Sequence, residues 1–134
     1  MSQIPKIPTP YNETINNFSP NSTERSQLIK ELKEQENSDF LVTNIAAGKV
    51  LNSKEYDQHM IPHNNKKVCC KIAKATPEQT QEAIESCLVA QKSWSQLAWQ
   101  DRASVFLKAA DLLTTKYRAK INAATMHAQS KTCF

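Results

Sequence analysis

His59 and His63 lie four residues apart and are followed by the adjacent pair Cys69 and Cys70, the grouping in this sequence that most invites a chemical reading. Imidazole nitrogens and thiolates are the usual ligands of zinc, and histidines at i and i+4 share a metal when both lie on one helix face. The local sequence argues against that helix. Pro62 separates the two histidines, and the flanking segments EYDQHMI and KVCCKIA have strand character, which places His59 and His63 about 13 Å apart. Adjacent cysteines on a regular strand face opposite sides, unlike the spaced C-x-x-C of zinc sites. These four residues are expected to be ordinary strand residues, and no metal site is assigned.

Nucleophilic catalysis needs a thiol whose pKa is lowered by a base or a positive site. Cys87 falls on the apolar stripe of a helix, where a small buried hydrophobe is the expected role. Cys133 follows Lys131 and lies near His127, but a catalytic group needs a surrounding shell to hold it, and none is evident there. Ser130-Lys131-Thr132 has the wording of the end of a phosphate loop, yet it lacks the glycines and follows a helix where such a loop precedes one. Gly48 is the only glycine, and nucleotide-binding turns need glycine for close backbone approach to the pyrophosphate. Trp94 and Trp99 flank an interhelical connection and are read as packing residues, since no basic groove accompanies them. The catalytic, cofactor-binding and metal sets are therefore all expected to be none.

The elements that must position these residues follow from periodicity. Residues 1–18 combine Pro5, Pro8 and Pro10 with small polar residues and read as a disordered or extended arm. From Ser22 a short helix is expected, with Arg25, Leu28, Ile29 and Leu32 on one stripe, ending at Asn37-Ser38-Asp39. FLVTN and KVLNS flank IAAG as a hairpin; EYDQHMI and KVCCKIA flank PHNN as a second strand pair, giving a short, mostly antiparallel sheet. Three amphipathic helices then follow at about 77–95, 101–114 and 117–130. The first opens with Thr76, Pro77 and Gln79, a capping box with proline at the first helical position. Its apolar side carries Ile84, Cys87, Leu88 and Trp94; the second helix carries Ala103, Phe106, Leu107, Ala110 and Leu113; the third carries Tyr117, Ile121, Ala124 and Ala128. The fold class is α+β.

Composition bounds the rest. A chain of 134 residues supports one small core. The net charge of +4 is spread among interleaved acidic and basic residues, so no nucleic-acid partner is expected. No apolar run reaches the roughly 20 residues of a membrane span, and no membrane partner is expected. No presequence or signal peptide is evident, and four cysteines without one make the cytoplasm the default location.

In AIESCLVAQKSWSQLAWQDRASVFLKAADLL the elements A-x-x-x-W, D-R-A and F-L-K-A-A-D-x-L stand in an order and spacing that resembles the N-terminal part of the delta-1-pyrroline-5-carboxylate dehydrogenases of the aldehyde dehydrogenase superfamily. The likeness continues through KINAATMHAQSKT and upstream through STERSQLIKELKEQ and YDQHMIPHNNKKVCCKIAKAT. It implies an incomplete N-terminal region over 19–134 that lacks the Rossmann-type sheet of the family. The family oxidises L-glutamate gamma-semialdehyde to glutamate in proline catabolism: a cysteine attacks the carbonyl, NAD accepts hydride and a glutamate activates water. Those groups belong to segments beyond Phe134. The resemblance thus implies a truncated relative, a pseudoenzyme with no bound NAD and no activity alone. It also implies a mitochondrial location, and a Gly-Gln-Gly-Lys-Thr turn where this chain has Ala128 and Ser130. The alternative expectation is a helical interaction module whose exposed apolar faces dock onto an intact dehydrogenase subunit or another protein partner.

Overall fold

The computed structural model describes residues 8, 9 and 11–133; Pro5 and Pro10 of the expected arm lie outside the described residues. Helix α1 (Thr23–Glu36) starts where Ser22 Oγ accepts the Arg25 N–H at 3.3 Å and stops at Asn37. Strands β1 (Leu41–Val42), β2 (Asn44–Ala46), β3 (Lys49–Leu51), β4 (Tyr56–Ile61) and β5 (Asn64–Ala73) follow, and then helices α2 (Pro77–Gln96), α3 (Trp99–Thr114) and α4 (Arg118–Gln129). The α+β class and the short helix, strand region and three-helix order are as the sequence implied. At the start of α2 the capping box is complete: Thr76 Oγ1 accepts the Gln79 N–H at 3.2 Å and Gln79 Oε1 accepts the Thr76 N–H at 3.1 Å.

The strands differ from the expected pairing in two respects. The hairpin is shorter, with Asn44–Ala46 against Lys49–Leu51 around an Ala47-Gly48 turn, while Leu41 and Val42 leave it to run parallel to β5. A parallel pairing some 30 residues distant leaves no local signature. The second pair closes through Pro62 and His63, so that Asn64, expected in the connection, already pairs with Ile61. The three-stranded sheet has the order β1-β5-β4, and its register slips between His59 and Met60: His59 faces Cys70 and Met60 faces Val68, leaving Cys69 as the extra residue of a bulge.

Ala47 and Gly48 both have positive φ, 50° and 73°, the backbone of a type I′ turn. Alanine pays about 1–2 kcal/mol for that conformation, and asparagine tolerates it far better. Ala47→Asn is therefore expected to stabilise the hairpin by about 0.5–1 kcal/mol, measured as roughly two- to fivefold slower amide exchange at Ala46 and Lys49, the hydrogen-bonded pair that flanks the turn.

The core sits between α1 and α4. Leu28 is 4% exposed and Ala123 fully buried, and Phe18 closes over them, with Leu32, Met126 and Cys133 around the rim. Gln35 Nε2 donates to Lys120 O at 2.8 Å, and His127 Nε2 lies 3.1 Å from Leu32 O. Phe18 belongs to the stretch read as an arm, but Arg118 holds that stretch down: its Nη2 donates to Thr14 O at 2.6 Å and its Nη1 to Asn16 Oδ1 at 3.4 Å. The face of α4 that packs on α1 carries Ala123 and Met126, adjacent to the expected stripe of Tyr117, Ile121, Ala124 and Ala128. Alanine occupies both sides of this helix and gives little apolar contrast by which to choose between them.

Candidate functional site

The sequence assigned no catalytic, cofactor or metal residue, and the geometry explains what its chemistry-bearing side chains do instead. His59 Nε2 lies 3.0 Å from Ala128 O, and His63 Nδ1 lies 2.8 Å from Ser130 Oγ. The β4 strand and its turn thus grip the C-terminal end of α4, where carbonyls lack helical partners. Ser130 takes φ 53°, ψ 33°, the left-handed conformation of a helix C-terminus that glycine would adopt most readily, so the turn forms despite the serine. Among the described residues no three His, Cys, Asp or Glu side chains gather to hold a metal ion.

The cysteines fall in three settings. Cys133 packs against the Phe18–Leu28–Ala123 core. Cys87, expected to be buried, is exposed, because no described residue covers its side of α2. Cys69 and Cys70 are half-buried on β5, and the Cys69 thiol is pushed above its ordinary value by burial first, then by the neighbouring Cys70. A thiol held protonated is a poor nucleophile. Cys69 does not have the electrostatics of an aldehyde-attacking cysteine.

Two surface features remain. One is a cleft of about 380 Å³ between the end of α1, the β1–β5 edge and the outer side of α4, lined by Phe40, Val68, Leu113, Tyr117 and Ile121 with both Cys69 and Cys70. The ion pair of Lys67 Nζ with Glu36 Oε1, 3.0 Å, stands at its rim and holds the Glu36 carboxyl below the usual range, through the hydrogen bond first and the lysine charge second.

The larger feature is the face of α2 and α3, neither of which has a buried residue. Leu88 is 58% and Phe106 69% exposed, with Ile84, Val89, Val105 and Leu113 also open. The whole chain exposes 10991 Å², against about 7,100 Å² for a self-contained monomer of 15.1 kDa. The Nε of Arg102, on α3, is buried without an acceptor. A face that leaves this many large apolar side chains uncovered is suited to binding.

A nicotinamide dinucleotide does not fit the described residues. The single glycine sits on a β-hairpin turn, whereas pyrophosphate binding uses a glycine-rich turn from strand into helix.

The sequence and the fold both have counterparts among known proteins. Residues 51–133 match the model of the aldehyde dehydrogenase family. The delta-1-pyrroline-5-carboxylate dehydrogenase of Agaricus bisporus is 36% identical over 127 residues, and the mitochondrial one of Emericella nidulans is 40% identical over 127. Both alignments cover 94% of this chain but only 23% and 22% of the relatives. The crystal structure of the Mycobacterium tuberculosis delta-pyrroline-5-carboxylate dehydrogenase superposes with a TM-score of 0.94 at 32% identity, covering all of this chain and 25% of that one; it has also been solved with NAD bound. The chain therefore spans about a quarter of the length of these relatives. Through the matched strand-and-helix block that carries D-R-A and F-L-K-A-A-D, this chain belongs to the aldehyde dehydrogenase family.

Proposed function

We propose that these residues serve as the N-terminal quarter of a delta-1-pyrroline-5-carboxylate dehydrogenase, and that the α2–α3 face is the surface on which the remaining three quarters of that fold pack. The observation that carries this is the joint one: superposition on the whole chain at a TM-score of 0.94, with every residue of α2 and α3 left unburied. The activity of the assembled fold is NAD-dependent oxidation of L-glutamate gamma-semialdehyde to glutamate. This chain contributes scaffold to it and is inactive alone, because its single glycine sits on a hairpin turn and leaves no dinucleotide-binding turn among the described residues.

Docking onto an intact dehydrogenase subunit is the second reading, favoured by the same exposed face. An intact subunit already contains its own equivalent of this segment, so the incoming chain has to displace it. The remainder of the fold, supplied without that segment, is the better occupant. Among the described residues no helix is long and apolar enough to cross a membrane. The relatives of Emericella nidulans and Mus musculus are named mitochondrial, which supports mitochondria as the place of action.

The test is an assay of NADH formation from glutamate semialdehyde. The chain alone is expected to give none. Mixed or co-expressed with the Agaricus bisporus enzyme lacking its corresponding first quarter, it is expected to restore turnover that neither piece shows. Cysteine-dependent turnover by the chain alone, or failure of the two pieces to associate, overturns the reading.

A further inference from the structure

We propose that Cys69 and Cys70 form a bidentate dithiol site for trivalent arsenicals carrying an apolar substituent, with the substituent seated in the adjoining cleft. On a regular strand two consecutive side chains leave on opposite faces. The slip at His59/Met60 makes Cys69 the extra residue of a bulge, a device that re-aims a side chain, and both cysteines line the same cleft. Burial first, and then the neighbouring Cys70, raise the Cys69 thiol.

The backbone decides what such a pair can do. Consecutive Cα atoms are about 3.8 Å apart, shorter than the roughly 4.4–6.8 Å that disulfides span. The ladder pairs Cys70 with His59 of β4 and the next two residues, Lys71 and Ile72, with β1, which resists the twist a direct S–S bond between neighbours requires. A bridging arsenic enlarges the ring by one atom and leaves the strand extended. The reaction also suits a protonated thiol. With an oxo-arsenical R–As=O, two S–H bonds break, two As–S bonds form and the oxygen leaves as water; arsenic stays trivalent, and no oxidant or reductant is consumed. Raised thiol pKa, which disfavours attack by a thiolate, therefore does not disable the site. Leu113, Tyr117 and Ile121 form the apolar wall beside the sulfurs and suit an aryl group.

The probe is phenylarsine oxide, titrated into the full chain kept reduced with a monothiol, and followed by intact mass and by counting free thiols. One arsenic per chain is expected, with two of the four thiols lost and release by a small dithiol. Cys69→Ser and Cys70→Ser are each expected to weaken binding at least tenfold, while Cys87→Ser and Cys133→Ser leave it unchanged. The methyl analogue is expected to bind about tenfold more weakly than the phenyl compound, and in denaturant that preference disappears. Binding by the Cys69→Ser or Cys70→Ser variant as tight as the parent's, arsenic held through Cys87 or Cys133, or no difference between phenyl and methyl in the folded chain overturns the proposal. Circular dichroism of each variant separates loss of the site from loss of the fold.

Discussion

Leu28→Ala is expected to cost about 2–5 kcal/mol, the range for removing a leucine side chain from a packed core, and to detach α1 from α4. Leu28 is 4% exposed and meets Phe18 and Ala123, which with Ile61 and Ala73 are the only other buried hydrophobic residues among those described. Small domains commonly hold 5–15 kcal/mol in total. With so little buried here, a loss of this size takes most of the stability available. The isolated variant should lose helical circular dichroism at 25 °C where the parent retains it. Ile29→Ala, one position along but on the open side of α1, is the control and should change stability by no more than about 0.5 kcal/mol.

The opposite pattern is expected at Phe106. Its ring is exposed on α3, so Phe106→Asp should leave the stability of the isolated chain within about 0.5 kcal/mol of the parent. Once the face is covered by the rest of the dehydrogenase fold, the aspartate becomes a buried charge without a partner, and an aromatic anchor is also lost. A penalty of at least about 2 kcal/mol follows, roughly thirtyfold in the dissociation constant of the two pieces. Restored NADH formation should fall in parallel at limiting concentrations and recover when the complementary piece is in excess. A variant that assembles as tightly as the parent would place the docking surface elsewhere.

The helices were legible because their signals are local. Thr76, Pro77 and Gln79 fix the start of α2, and the three- and four-residue spacing of Phe106, Leu107, Ala110 and Leu113 marks α3. What escaped depends on distant partners. Phe18 is buried because Arg118, a hundred residues along, ties down Thr14 and Asn16. Leu41 and Val42 pair with Lys71 and Ile72 in parallel, and the Cys69 bulge arises from a mismatch between two strands, visible in neither alone. The helix-capping role of His59 and His63 was hidden for the same reason, since the carbonyl and hydroxyl they meet lie at the C-terminal end of α4 and on the residue that caps it. Cys87 was expected inside because its stripe is apolar; the stripe is real, but its cover belongs to no described part of this chain. Periodicity reports that a face is meant to be buried, without reporting against what.

The central claim, that the α2–α3 face is an interface for the rest of the dehydrogenase fold, is tested most directly by amide hydrogen exchange on the chain with and without that complement. Exchange across α2 and α3 is expected to be fast in the isolated chain and to slow at least tenfold on assembly, while the α1–α4 core, already packed, changes little. Protection of α2 and α3 that is already complete in the isolated chain, or that does not rise when the complement binds, would contradict the account.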